Sequence, residues 1–318
     1  MSGRKISNTG TVTIAAGGNR VQWPQLPPHI RQAAERILGS PVVQAHSQPG
    51  GFSPGSADRV QTASGRRAFV KACSAELNEF SVVLHRREAK VTAAMPPVAP
   101  APRLLGSYDD ADWTVLVLDD VPGDHPMVPW DSEQLDAVLT CLQQLTDLPL
   151  PKVDLPDASA DLAEDFAGWQ RLRLDPPQRV DTWIRENINL LESLAARGAE
   201  AMRGEALQHR DIRADNILLT AEGPVLVDWP WAARGAPWFD ALCLLINVNL
   251  TGGHDVDTLA STHLNSASAE QINAVLSGLT AYFFDASRRP PPPGLPSIRG
   301  FQRKQGKATL DWLRRRLS

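Results

Sequence analysis

The segment His209-Arg210-Asp211-Ile212-Arg213-Ala214-Asp215-Asn216 places two carboxylates, a carboxamide and an imidazole in one short stretch. An apolar run, Ile217-Leu218-Leu219, follows it, and Asp228 closes a second apolar run, Pro224 to Val227. These residue types suit the transfer of a phosphoryl group to a hydroxyl. That reaction needs one carboxylate to orient the attacking hydroxyl and accept its proton, and hard oxygen ligands for Mg²⁺; positioning does the rest. Asp211 can serve the first need, and Asn216 with Asp228 the second, with ATP phosphates and water completing the metal shell. Polar residues clustered between two β-like runs predict a hairpin with a working loop at its mouth.

The elements that must hold this loop are legible from periodicity. Residues 27–38 start with prolines, put Ile30, Ala33, Ala34, Ile37 and Leu38 on one face and stop at Gly39, which predicts a short amphipathic helix. Residues 41–72 change to short β-like runs around Val42, Val60 and Ala68–Val70, separated by the turn signals GGFSPG and ASG. A helix is expected over residues 78–95, and strands at Leu104–Leu105 and Trp113–Leu118. The breakers VPGDHP at 121–126 end this part. Beyond Trp130 the pattern is mainly helical, from Leu135, Val138, Leu139, Leu142 and Leu145 to a last helix carrying Leu310, Leu313 and Leu317, with Pro290–Pro293 as a stiff loop. The expected division is a loose tail at 1–22, a β-rich lobe at 23–121 and a larger α lobe at 122–318.

The spacing HxDxxxxN followed by a strand-end Asp resembles the aminoglycoside phosphotransferases and, more distantly, protein kinases; VLVDW at 225–229 resembles the former. The resemblance extends into the first lobe. GGFSPGS, with Gly51, Phe52 and Ser53, resembles the nucleotide loop of that family, and backbone N–H groups of such a loop can cradle phosphates. Phe69-Val70-Lys71 resembles the strand whose lysine grips the α- and β-phosphates. Glu88 resembles the helix glutamate that pairs with that lysine, with Glu76 and Glu79 as competitors. LVLDDVPG at 116–123, with Asp119 and Val121, resembles the hinge that hydrogen-bonds adenine. The resemblance thus implies an α+β, bilobal, protein-kinase-like fold: a small β-rich N-lobe with one key helix, and a larger, mainly α-helical C-lobe. It implies ATP as co-substrate, Mg²⁺, Asp211 as the catalytic carboxylate, and His209 and Asp240 as supports of the catalytic loop.

Two departures qualify the resemblance. Arg210 stands where aminoglycoside kinases commonly have glycine, and is the protein-kinase-like choice. Pro230, two residues after Asp228, stiffens a segment that in protein kinases can flip. No Ala-Pro-Glu activation segment is visible, which speaks against a protein substrate.

The acceptor is less legible. Asp154, Asp157, Asp161, Glu164 and Asp165 fall within residues 154–165 with no Lys or Arg among them. Such a wall suits a cationic aminosugar, and equally suits a solvated helix N-terminus. Asp215 is open between a substrate contact and a loop acid. Trp169, Trp183, Trp229, Trp231 and Trp238 are each either stacking surfaces or core, and Trp231 is the candidate substrate contact among them. Transfer of the ATP γ-phosphoryl group to an aminoglycoside or related small polar molecule is the leading expectation. A metabolic kinase for an amino alcohol or sugar is the second, and a nucleotide-binding pseudokinase acting by interaction the third. The intact Lys71, Asp211, Asn216 and Asp228 speak against the last.

Bulk properties exclude several classes. A net charge of −4 over 318 residues gives no reason to expect nucleic acid or an anionic membrane as a partner, and no obligate protein partner is evident. Arg314, Arg315 and Arg316 read as a solvated helix end complementing the helix dipole. Cys73, Cys141 and Cys243 lie far apart in apolar settings without metal-ligand spacing, which predicts free buried thiols in a reducing cytoplasm. The first residues lack the apolar core of a signal peptide, and no run approaches the length of a membrane span.

Overall fold

The alternating runs between residues 42 and 119 form one antiparallel sheet in the computed structural model, which describes residues 20–48, 54–177 and 181–318. Its strands are β1 (Val42–Ser47), β2 (Ser56–Thr62), β3 (Arg67–Ser74), β4 (Leu104–Asp109) and β5 (Trp113–Asp119), in the order β1-β2-β3-β5-β4. Side chains alternate between faces along a strand. Ala68, Val70 and Ala72 of β3 therefore face one way, where they pack with Val115 and Val117 against Ile30, Ala34 and Leu38 of α1 (Pro28–Leu38). Lys71 faces the opposite way, toward α2 (Ala75–Ala94). Ser74 caps α2 by accepting from the Leu77 N–H at 3.3 Å. Gly39 ends α1 in the left-handed conformation at φ 75°, which only glycine adopts without strain.

Residues 20–22, read from sequence as the end of a loose tail, are tied to the sheet. Arg20 bridges Gly55, the Val21 N–H donates to the Gly55 carbonyl at 3.0 Å, and Trp23 next to them is buried.

The larger lobe comprises α3 (Ser132–Thr146), α4 (Ala158–Phe166), α5 (Gly168–Leu174), α6 (Thr182–Ala201), the short strands β6 (Ala206–Gln208), β7 (Ile217–Thr220), β8 (Gly223–Leu226) and β9 (Ala233–Gly235), then α7 (Phe239–Thr251), α8 (Val256–His263), α9 (Ala269–Ser287) and α10 (Ile298–Leu317). β7 and β8 form the hairpin that the apolar runs predict, with Ile217 opposite Leu226. The pairing of β6 with β9 was not legible: each strand is three residues long, too short to show alternation. Its register, Leu207 opposite Arg234, brings together the two ends of the segment from 209 to 232.

α4 and α9 meet at a close approach. A Cβ on Gly278 would lie 2.4 Å from the Phe166 ring, so Gly278→Ala should cost about 1–3 kcal/mol by overpacking. The readout is the urea midpoint, and an unchanged midpoint contradicts the contact.

Of the C-terminal arginines only Arg315 is exposed, as at a solvated helix end; Arg314 and Arg316 are half-buried, and all three make contacts. Arg314 pairs with Asp181 and lies 4.9 Å over Trp183, Arg315 donates to Asn249 at 2.8 Å, and Arg316 donates to Asn273 at 2.7 Å. They fasten α10 to its neighbours because α10 packs along the helices that supply those acceptors. No helix among the described residues is long and apolar enough to cross a membrane. All three cysteines are free thiols; Cys73 and Cys141 are buried and Cys243 is half-buried.

Candidate active site

The segment after β6 is held by its own backbone donors. Asp240, in the first turn of α7, accepts the His209 N–H at 2.6 Å and the Arg210 N–H at 2.9 Å. Arg210 adopts φ 67°, a left-handed conformation that costs energy for a non-glycine residue, and this clamp sustains it. His209 is fully buried against Trp229, with ring centroids 4.5 Å apart. Its Nδ1 accepts from the Asp211 N–H at 3.2 Å, so Nε2 carries the proton and donates to the Val227 carbonyl at 2.9 Å. Burial lowers its pKa, which keeps the ring neutral in that tautomer. His209 thus links the Asp211 segment to the end of the hairpin and has no spare nitrogen for proton transfer.

Asp211 sits at the mouth of the hairpin. Its Oδ2 accepts from Asn216 Nδ2 at 2.9 Å, and both carboxylate oxygens face Arg213 Nη1, at 2.7 and 3.0 Å. Arg213 uses its other edge on Asp215, with two bonds of 2.9 Å. Asp215 is therefore committed to Arg213. Burial pushes the Asp211 carboxyl up to about 6; Arg213 opposes that shift, while the charges of Asp228 and Asp215 add to it. Carboxyl-carbon NMR, differenced against Asp211→Asn, should find a midpoint near pH 6 in the nucleotide-free protein. A midpoint at the ordinary carboxylate value of about 4 contradicts the burial argument.

Across the cleft, Lys71 Nζ reaches both oxygens of Glu88, at 2.7 and 2.9 Å, and Asp228 Oδ1 at 2.9 Å. Glu88 is the glutamate of α2 that faces Lys71; Glu76 and Glu79 do not. Burial alone would lower the Lys71 pKa, but the charges of Asp228 and Glu88 outweigh it and raise the ammonium's pKa. Burial raises the Glu88 carboxyl, opposed by Lys71. Burial would also raise Asp228; the charge and hydrogen bond of Lys71, with help from Arg213, hold it low instead. A lysine from the small lobe and an aspartate from the large lobe therefore share one ion pair, and Asp211 and Asn216 lie beside it.

The remaining expected positions are distributed as follows. Gly51, Phe52 and Ser53 lie outside the described residues. Asp119 ends β5 and pairs with Arg103 at 3.1 Å; the Val121 carbonyl accepts from Arg59 at 3.1 Å. Asp161 is paired with Arg210 at 2.6 Å. Asp157 caps α4 through the Ser159 N–H at 2.9 Å. Asp165 lines the cleft, whereas Glu164 does not. Trp169, Trp229 and Trp238 are core, and Trp183 packs under Arg314. Trp231 alone of the five lines the cleft.

Three residues near the site were not singled out by sequence. Arg213 clamps two aspartates, and only its position two residues after Asp211 hinted at this. His85, one turn before Glu88 on α2, donates from Nδ1 to the Ser81 carbonyl at 2.7 Å, and burial lowers its pKa to about 4. Burial likewise lowers Arg20, opposed first by Asp228 and then by Asp58, which brings a third cation near the Lys71 pair.

A cavity of about 310 Å³ opens beside Asp211 and Asp228, walled by residues 210–213, α7, α9 and α10 and roofed by Phe80 and Leu84 of α2. A buried cation from one lobe, carboxylates from the other and an adjoining cavity are the arrangement phosphoryl transfer requires.

Several solved structures share the fold. The choline kinase LicA from Streptococcus pneumoniae superposes with a TM-score of 0.57 at 14% identity, covering 89% of this chain and 98% of that one. The ADP-bound aminoglycoside phosphotransferase APH(2″)-Ib gives 0.55 at 13% identity, covering 89% and 97%. The streptomycin–ATP–APH(2″)-IIa ternary complex gives 0.52 at 12% identity, covering 82% and 90%. At such identities the likeness speaks for the bilobal α+β fold alone. No curated protein sequence matches the chain. The APH family model, described as a phosphotransferase enzyme family, matches residues 51–272, which include Lys71, Glu88, Asp211, Asn216 and Asp228. With more than two thirds of its length matched, the chain belongs to the APH phosphotransferase enzyme family.

Proposed function

We propose that the protein transfers the γ-phosphoryl group of ATP to a hydroxyl of a small molecule, with Asp211 as the catalytic carboxylate. The observation that carries this reading is the Lys71–Asp228 contact of 2.9 Å across the cleft, which joins the nucleotide-facing strand to the catalytic segment. Lys71, held by Glu88, grips the phosphates, and the backbone around Asp119 and Val121 meets adenine.

The donor set fits Mg²⁺: Asp228 offers a carboxylate and Asn216 a carboxamide oxygen, since the amide N–H₂ of Asn216 is spent on the Asp211 carbonyl at 2.8 Å and on its carboxylate. Asp228 and Asn216 supply part of a shell, as suits a cation shared with phosphates; among the described residues no group of three or more His, Cys, Asp or Glu could hold a metal ion by itself. When bound, the cation neutralises charge developing on the phosphate oxygens.

The acceptor hydroxyl lies against Asp211. Its oxygen attacks Pγ in line; the new O–P bond forms as the bond from Pγ to the β-phosphate bridging oxygen breaks. ADP leaves with that electron pair and the hydroxyl proton passes to Asp211. The carboxylate must be ionised to accept it, so turnover should rise as pH passes upward through about 6. Lys71 remains cationic throughout that range.

Three free thiols, two of them buried, support a reducing compartment, the cytoplasm. An aminoglycoside acceptor is supported only weakly by the acidic segment, because Asp157 and Asp161 are engaged within the protein. The test is incubation with γ-labelled ATP and Mg²⁺ against panels of amino alcohols, amino sugars and aminoglycosides. Label should appear in an acceptor. Tight nucleotide binding with no labelled acceptor and no ADP favours the pseudokinase reading instead.

A further inference from the structure

The cavity beside Asp211 carries more information about its ligand than the acidic segment does. Its charged wall residues are two arginines, Arg210 and Arg213, against three aspartates, Asp165, Asp211 and Asp228. Asp211 is bonded to Arg213 and Asp228 to Lys71. Only Asp165 is left to meet a cation, and it already feels the charges of Arg210 and Arg171. The amide side chains of the wall are also committed. Gln302 accepts from Arg299 at 2.8 Å, Gln305 donates to Asn247 at 2.8 Å, and Asn247 donates to the Cys243 carbonyl at 2.9 Å.

Most of the remaining wall is apolar. Leu295, just before α10, and Ile298 at its start are half-buried, Phe301 follows with the Arg213 guanidinium 5.3 Å over its ring, and Phe283 of α9 lines the same cavity. At the lip, Phe80 is 56% exposed and sits 5.8 Å from Trp231, ring centroid to centroid. An exposed aromatic beside an apolar cavity marks a surface that a ligand covers. A molecule with several ammonium groups would lose their hydration here without gaining matching carboxylates.

We infer that the acceptor is an alcohol with a mainly apolar, ring-sized body and no more than one positive charge, its hydroxyl at Asp211 and its body against Phe80, Trp231 and the Ile298–Phe301 face. This rests on the phosphotransfer reading above and narrows its substrate class. The single charge, where present, faces Asp165.

The test uses the full chain with Mg·ATP and four probes: phenylalaninol, uncharged 3-phenylpropan-1-ol, choline and kanamycin. ADP release gives kcat/KM for each. The expected result is that phenylalaninol exceeds kanamycin by about 100-fold or more, the discrimination a site achieves when polar groups are left unmatched. Ile298→Asp should lower kcat/KM for both phenyl alcohols by about 10-fold, the loss expected from a disrupted apolar contact, while the KM for ATP stays constant. Asp165→Asn should weaken phenylalaninol and spare 3-phenylpropan-1-ol. Should turnover be too slow to rank the probes, calorimetry with Asp211→Asn and Mg·AMP-PNP ranks their binding instead. Kanamycin preferred over both phenyl alcohols, choline preferred over both, or no binding of either phenyl alcohol, overturns the inference. In each of those cases labelled product from any alcohol still upholds phosphotransfer; a protein that binds no Mg·ATP fails the parent reading instead.

Discussion

Asp211→Asn lowers kcat by about 10²–10⁴-fold, the usual worth of a positioned general base, and leaves nucleotide affinity within several-fold. The replacement is nearly the same size, so the loop keeps its packing. Its electrostatics change. The wild-type carboxylate accepts from Arg213 and from Asn216. An asparagine can satisfy one of these with its oxygen, but turns an N–H₂ toward another donor, and it has no site for the acceptor's proton. Lys71, Glu88 and Asp228 make their contacts without Asp211, so the phosphate grip survives. Steady-state ADP release and a fluorescent-nucleotide titration separate the two quantities. Near-normal turnover would remove Asp211 from the reaction; a collapse of nucleotide affinity would instead make it a structural support of the phosphate site.

Asp228→Ala has the second large effect, and on a different quantity. It should weaken nucleotide binding in the presence of Mg²⁺ by about 100-fold, in line with losing a charge-assisted contact and a metal ligand. Without divalent cation the change should be small. The Lys71–Glu88 pair remains at 2.7 Å, so the fold loses little: Glu88 keeps its partner in the buried position. Removal of Glu88 would be worse for stability, because Lys71 would then lean on Asp228 alone. Titrations of nucleotide with and without Mg²⁺ decide the point. Equal losses in both would show that Asp228 acts through Lys71 and not through the metal.

The contrast between these two variants follows from how the carboxylates are held. Asp211 is pushed upward by burial and keeps its proton affinity near neutrality, whereas Asp228 is held low by Lys71 and stays an anion. One environment suits a proton acceptor and the other a cation ligand. Two aspartates on one loop system are thus differentiated by their neighbours.

Much of this was readable in one dimension because the relevant signals are local. Polar residues at fixed offsets between two apolar runs require a hairpin and a loop, and β7 and β8 form it. The alternation Ala68-Phe69-Val70-Lys71 fixes Lys71 on the face away from α1. Gly39 as a helix stop is equally local. What was misread involves partners distant in sequence. The arginines ending α10 look like solvated charge until α6, α7 and α9 supply Asp181, Asn249 and Asn273. The acids of residues 154–165 suit a cation-binding wall or a helix N-terminus equally in sequence; in the fold Asp157 caps α4 and Arg210, far along the chain, pairs with Asp161.

The sequence by itself determined the chemistry: which residue types stand at which spacing, and hence a carboxylate loop, a strand lysine and a helix glutamate. Tertiary structure decided what each charge faces, that Glu88 and Asp228 both reach Lys71, that Arg213 bridges Asp211 and Asp215, and that the cavity beside them is lined mainly by apolar side chains. The reason is range. Backbone preference and periodicity act over a few residues and are written in the order of the chain, whereas burial and Coulomb interaction depend on distance in space, and the fold alone sets that distance.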